Sequence, residues 1–414
     1  MRNRTVVVRS STSVTILLAC LVFPALCAFP QTVNEFPNRD DPLHVRVDMF
    51  DELMRGNHWN EGAVMQHVIF PPVGKETPIV GSQEDCAGHT GVFLAGYAHR
   101  YAVTKDPQVR EWADGLMEGL LKLEAVTGVP GCMARSFNKT DQPLWHEQAY
   151  FFPMEWHAST SMPGYRWQGD LSSDKFVDAC YGVSTYFDFC ADAEHKQMAA
   201  GFLDRFVGRV VDHNFRLVDV DNKMTLWGNF CPDLPHENLN ALEILAGLRA
   251  AYHCTGKDRY RAAYHMLIDR YHYDDQAIMA KILWPERWKT PWDDHLAAKS
   301  FYILFRYETD PTLLNKYRMS LNRHWYDWED TEFQRDTDVF YHMLYQVLTG
   351  EQVVGAECLA AIKDMWGFDR RRRAFTIPTL DGPKTLEAEE EGSATTMIRN
   401  YWFGRHYGII DAQW

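Results

Sequence analysis

The feature that most constrains this chain is a unit of two apolar-faced helices joined by a tight polar turn, which recurs along its whole length. Between Thr90 and Tyr101, the residues Val92, Phe93, Ala95, Tyr97, Ala98 and Tyr101 fall at helical spacing; the run stops at Thr104-Lys-Asp-Pro107 and restarts over Val109–Val126. The unit returns as Asp174–Phe189 with Glu194–Val211, Asn238–Cys254 with Arg259–Tyr271, Asp293–Tyr307 with Thr312–Trp328, and Asp336–Leu348 with Glu351–Trp366. Asp40–Met54 near one end of the chain and Ser393–Tyr407 near the other are left to pair as a sixth. A helical hairpin that is apolar on one face must stack on another. The loops between units differ in length, which excludes a uniform solenoid of fixed period. About six such hairpins closing on themselves give an all-α (α/α)6 toroid, an inner ring of helices within an outer one.

One β element interrupts the pattern. Phe215–Trp227 alternates apolar and polar residues about Asp221-Asn222 and is expected to form a hairpin. Asp219, Asp221 and Asn222 lack the central glycine of a calcium loop, and Phe230 stands where its closing glutamate belongs, so turn chemistry explains them and no metal is expected.

With 414 residues, 46% hydrophobic and 14% aromatic, the chain has ample material for such a core. Its net charge of −14 would repel a phosphate backbone, which argues against a nucleic-acid partner. Arg370-Arg-Arg-Arg373 is flanked by Asp364, Asp369 and Glu387-Ala-Glu-Glu-Glu391 and reads as a solvated loop. Arg2, Arg4 and Arg9, an apolar Val14–Phe23 and Pro24-Ala-Leu-Cys-Ala28 make residues 1–28 an export signal, leaving a single domain over 29–414. Cys20 as a lipoprotein anchor ranks second, and no apolar run reaches the roughly 20 residues of a membrane span. The seven remaining cysteines are widely spaced and suit neither a zinc site nor a dense disulfide framework, though one or two bridges stay open; Cys180, Cys190 and Cys254 read as buried thiols.

The first helix of each unit begins with acidic or amide residues just after a long loop: Glu84-Asp85, Asp174, Glu237-Asn238, Asp293-Asp294 and Asp336/Asp338. Singly, these are ordinary helix caps. Closing the ring gathers them at one mouth, beside Trp156, Trp167, Trp227, Trp284, Trp288 and Trp292, and an acidic, aromatic-lined cleft suits glycosidic chemistry. The densest stretch is Tyr165-Arg-Trp-Gln-Gly-Asp-Leu-Ser-Ser-Asp174, where Ser172 or Ser173 is positioned to cap the following helix. Asp174 is the candidate general acid, with Asp85 or Asp170 as its partner. Arg135 and Arg166 are candidates to clasp a substrate carboxylate, hence a uronic acid, or to pair with Asp170 or Asp174. Trp167 is the candidate stacking platform. Of His89, His146, His157, His236 and His295 in the cleft loops, His157 and His236 are the better placed, and none has zinc-motif spacing, so no cofactor is expected. Tyr165 with His157 is also the equipment of a polysaccharide lyase, and a non-catalytic glycan-binding protein is a third reading.

Glu84-Asp-Cys-Ala-Gly-His-Thr-Gly91, Gly128-Val-Pro-Gly-Cys-Met-Ala-Arg-Ser136, Gly169-Asp-Leu-Ser-Ser-Asp174, Leu239-Asn-Ala-Leu-Glu-Ile-Leu245 and Tyr401-Trp-Phe-Gly-Arg-His-Tyr-Gly408 resemble secreted bacterial members of the six-hairpin glycosidase-like (α/α)6 superfamily. The resemblance is more distant to unsaturated glucuronyl and rhamnogalacturonyl hydrolases, which use aspartates on inner helices. It implies a glycoside hydrolase acting on an oligo- or polysaccharide, with Asp85 and Asp174 in the corresponding positions.

Overall fold

The computed structural model describes residues 35–70, 79–80, 85–141, 156–281, 291–326, 339–377 and 384–414. Residues 1–28, Glu84, His146, Trp284, Trp288, Asp336 and Asp338 lie outside them, so the export signal and those cleft residues are not placed. Among the described residues no helix is long and apolar enough to cross a membrane.

Thirteen α-helices occupy the described chain: α1 (Leu43–Leu53), α2 (Cys86–Thr104), α3 (Pro107–Ala125), α4 (Ser173–Phe189), α5 (Ala193–Asp212), α6 (Asn238–Thr255), α7 (Asp258–Tyr271), α8 (Tyr273–Ile278), α9 (Pro291–Tyr307), α10 (Pro311–Tyr326), α11 (Val339–Thr349), α12 (Ala356–Lys363) and α13 (Thr395–His406). The turns that separate the hairpin partners are written in their sequences. Asp106 accepts the Gln108 N–H with Pro107 at the first helical position, Asp192 accepts the His195 N–H, and Asp310 accepts the Thr312 N–H before α10. Gly256 and Gly350 take the left-handed conformation at the ends of α6 and α11.

Packing follows the same order. α2 lies on α4, α4 on α6, α6 on α9, α9 on α11, α11 on α13, and α13 returns to α2, closing an inner ring of six. Outside it, α3 backs α2, α5 backs α4, α7 and α8 back α6, α10 backs α9, α12 backs α11, and α1 backs α13. The protein is therefore an (α/α)6 toroid, and the two ends of the chain make its sixth hairpin, tied by the His44 N–H to the Trp414 carbonyl at 2.8 Å. Inner and outer helices differ as a ring demands: α6 is buried almost all round, whereas α3 and α5 bury one stripe each. α2 and α4 approach backbone to backbone, since a Cβ on Gly182 would lie 2.2 Å from the Gly91 carbonyl oxygen.

The structure departs from the sequence reading in three places. Helix α12 is shorter than Glu351–Trp366, because the Gln346 side chain accepts the Val353 and Val354 N–H groups and holds 351–355 out of the helix. Four small sheets appear where one hairpin was expected: β1 (Trp59–Asn60) with β2 (Ala63–Val64); β3 (His67–Phe70) between β4 (Ile79–Val80) and β11 (Lys384–Gly392), with β10 (Arg371–Ile377) beyond β11; β5 (Ser136–Lys139), β7 (Tyr165–Gln168) and β6 (Trp156–Ala158); and the expected β8 (Arg216–Val218) with β9 (Met224–Asn229). The arginine run is part of β10 and not a loop: Arg371 sits opposite Glu390 and Arg372 opposite Glu389, and the Arg370 Nε donates to Glu391 at 2.7 Å. All seven described cysteines are buried free thiols, so no bridge forms among them.

Candidate functional site

Each hairpin enters through its inner helix and leaves through its outer one, so the six inner helices run the same way and their N-termini share one mouth. Two carboxylates and two cations meet there. Asp85, at the N-cap of α2, contacts the Lys175 ammonium and lies 3.7 Å from the Arg135 guanidinium. Asp174, in the first turn of α4, accepts the Lys175 Nζ at 2.6 Å, the Lys175 N–H at 2.9 Å and the Ser172 hydroxyl. Ser172 does stand at the N-cap but makes no capping bond; its hydroxyl is spent on Asp174 and on the Arg135 Nη2 at 2.9 Å. The Arg135 Nε also donates to the Asp170 carbonyl at 2.6 Å.

Burial alone would raise the Asp174 carboxyl, but the Lys175 ammonium, the Ser172 hydroxyl and Arg135 outweigh it and hold the group well below the usual carboxylate range. Asp174 is thus ionised throughout the physiological range. A carboxylate so held runs against the proton-donor role expected of it from the sequence.

A carboxyl in the opposite electrostatic setting lies one helix further round. Glu243 on α6 is fully buried, and neither of its carboxyl oxygens makes a hydrogen bond of good geometry among the described residues, although the Ser173 hydroxyl lies close enough to act on it. Desolvation first, then the charges of Asp174 and Asp293, push it well above its ordinary value; the Ser173 hydroxyl and Lys299 oppose this without offsetting it. One turn beyond Asp174, the buried Asp178 pairs with Lys299 of α9. His89 in the first turn of α2 has its Nδ1 2.8 Å from the Thr395 hydroxyl and 2.7 Å from that of Ser393. Burial, with smaller contributions from His67, Lys175 and His58 against the opposing pull of Asp85, lowers it to about 4, so it is neutral.

The other expected residues are drawn elsewhere. Asp170 holds a left-handed turn (φ 59°); its N–H donates to Asp219 at 2.7 Å and its Oδ1 takes the Leu226 N–H at 2.8 Å, tying the loop before α4 to β9. Trp167 is only 3% exposed and packs on His157 at 4.5 Å, so it fills the core and offers no face to an incoming sugar, contrary to the stacking role read from its sequence. The Tyr165 hydroxyl is 2.9 Å from Glu61 Oε2 and 3.4 Å from Lys122 Nζ, on the α3 side. Arg166 lies on the opposite face of β7 from Tyr165 and Trp167, over the Trp156 ring at 5.9 Å. His236 bonds Gln276 of α8 at 2.8 Å and packs on Tyr273. Glu243, Asp178, Lys175 and Lys299 were not singled out from the sequence. One signal was available: Glu243 is the single acidic residue of α6, set between Leu242 and Ile244 on a helix apolar on every side.

No protein-family model matches the chain, and no curated protein matches it. Among solved structures it is similar to a sugar epimerase from a ruminal bacterium (TM-score 0.48, 11% identity, 87% of this chain and 96% of that one). It is also similar to a D-mannose isomerase (TM-score 0.47, 11% identity, 91% and 99%) and to a cellobiose 2-epimerase from Spirochaeta thermophila (TM-score 0.40, 13% identity, 89% and 97%). At this identity and overlap the likenesses carry no argument about chemistry; the toroid is established by its own closed ring of helices.

Proposed function

We propose that the chain is a carbohydrate-active enzyme, a glycoside hydrolase in which Glu243 donates the proton to the leaving oxygen and Asp174 serves as the ionised partner carboxylate. The observation that carries this is the pairing itself: a buried carboxyl on α6, raised well above its ordinary value by desolvation, set within the field of a carboxylate that Lys175 keeps charged on α4. Two carboxyls whose surroundings push their pKa values apart divide the work of acid and of base or nucleophile. The uronate expected from Arg135 and Arg166 loses support. Arg135 is committed to Asp170, Ser172 and Asp85, Lys175 is matched by Asp85 and Asp174, and Asp293 adds further negative charge, so a neutral sugar suits the mouth better. The lyase reading weakens with the Tyr165 hydroxyl engaged by Glu61 and Lys122.

A second reading, proton transfer at a sugar carbon without bond cleavage, is favoured by the neutral His89 on the same mouth. The test is turnover of neutral oligosaccharides and aryl glycosides, scored for new reducing ends and, separately, for sugar interconversion. Hydrolysis that falls by about 10²–10⁴-fold in both Glu243→Gln and Asp174→Asn supports the proposal. Interconversion without new reducing ends favours the second reading. Binding without either reaction leaves a glycan-binding protein and rejects both.

A further inference from the structure

Seven large apolar residues are exposed among the described residues, and four of them, Met224 (40%), Leu226 (46%), Trp227 (52%) and Leu234 (37%), fall on β9 and the loop after it. Exposed apolar side chains gathered in one short segment, a half-exposed tryptophan among them, point to a binding role. Its position is fixed at two points. Leu226 donates its N–H to Asp170, four residues before Asp174, and the Asn229 carbonyl accepts the Asn240 side chain at 2.9 Å from the first turn of α6. Trp227 therefore sits between an anchor to the start of α4 and an anchor to the start of α6, the two helices that carry Asp174 and Glu243.

We infer that Trp227 is the stacking platform of a second sugar subsite, on which a neutral glycosyl unit adjoining the cleaved bond rests, so that the enzyme acts on oligo- or polysaccharide chains. This rests on the proposed hydrolase reading for its place in the reaction. The surroundings select the class of sugar. Asp219 and Asp221 lie in the turn of the hairpin, Asp233 and Glu237 in the segment that follows it, and the tip cation Lys223 is matched by Asp221 at 2.8 Å, which disfavours a uronate and leaves the apolar ring face of a neutral sugar. It also returns a stacking role to this loop cluster, on a tryptophan that is half exposed instead of the buried Trp167.

The experiment is affinity electrophoresis through gels containing hydroxyethylcellulose, galactomannan or arabinoxylan, run on the full chain in a Glu243→Gln background so that nothing is cleaved. The parent should be retarded by at least one polymer. Trp227→Ala should lose that retardation by about tenfold in apparent affinity, while Trp227→Phe, which keeps an aromatic face, restores most of it. Met319→Ala, an exposed apolar residue on the outer helix α10, controls for loss of surface hydrophobicity. Retardation by none of the three polymers, or equal retardation of the parent and Trp227→Ala, overturns the inference. So does sedimentation showing that Trp227→Ala merely separates a dimer, since the patch would then join two copies. Turnover is scored separately: Trp227-dependent binding without hydrolysis rejects the hydrolase reading and keeps the subsite, and hydrolysis without such binding does the reverse.

Discussion

Replacing Glu243 by Gln tests the proton inventory of the site independently of any substrate. In the unfolded chain a glutamate titrates near its ordinary value of 4.5, whereas in the fold burial and the neighbouring Asp174 and Asp293 raise it well above. Above 4.5 the unfolded state has released this proton and the folded state still holds it. The group's contribution to stability is therefore complete below the unfolded value and is lost as pH rises towards the folded one. Within that window the loss is about 1.4 kcal/mol per pH unit for a single proton. Gln keeps the shape and does not titrate. Its stability relative to the parent should accordingly climb by about 1.4 kcal/mol for each unit above pH 5, then level off where Glu243 ionises. Guanidinium unfolding of both proteins at pH 5, 6, 7 and 8 reads this difference directly. The absolute offset is uninformative, because the amide must find its own partners, but the slope is diagnostic. A difference flat from pH 5 to 8 would mean that Glu243 is already ionised in the fold, and its role as acid would fall with it.

Three further outcomes follow from the same geometry. The rate of hydrolysis should hold through mildly acidic pH, since Asp174 stays charged well below the usual carboxylate range, and should fall on the alkaline side as Glu243 ionises; an acid limb centred near 4 would instead report His89 as the proton acceptor. Lys299→Ala strips the buried Asp178 of its cation and should cost about 3–5 kcal/mol in denaturant unfolding, whereas Lys299→Ala with Asp178→Ala should cost less than the single change. Gly182→Ala drives a Cβ to 2.2 Å from the Gly91 carbonyl oxygen and should destabilise by roughly 1–3 kcal/mol or more, so an unchanged melting temperature would refute the close contact of α2 and α4.

Most of the architecture was legible because its rules are local. Asp106-Pro107 and Asp310-Pro311 announce a helix start, Gly256 and Gly350 a helix end, and the apolar spacing between them gives a ring of hairpins once the two chain ends are allowed to pair. What stayed hidden depends on which neighbour a side chain meets after closure. Trp167 and Trp227 look alike in the sequence, yet β7 lies in the middle of its sheet and buries one, while β9 ends at solvent and exposes the other. Strands β5 and β6, which enclose β7 and Trp167, are too brief to show an alternating pattern of their own.

The proposed acid–base assignment differs from the sequence-based one for a related reason. Asp174 stands at a helix start beside a serine, a guanidinium and a lysine, all of which stabilise charge and outweigh the burial that would otherwise keep a proton on it. A general acid at neutral pH needs the opposite surroundings: burial, no cation in contact, and a like charge nearby. Those conditions are met on an inner helix with no polar face, where a lone glutamate between leucine and isoleucine is costly to bury and has no structural partner that would account for it. In a toroid the acid is therefore to be sought among the isolated charges of the inner helices, and the ionised partner among the crowded charges at their starts; Glu243 and Asp174 satisfy the two conditions at one mouth.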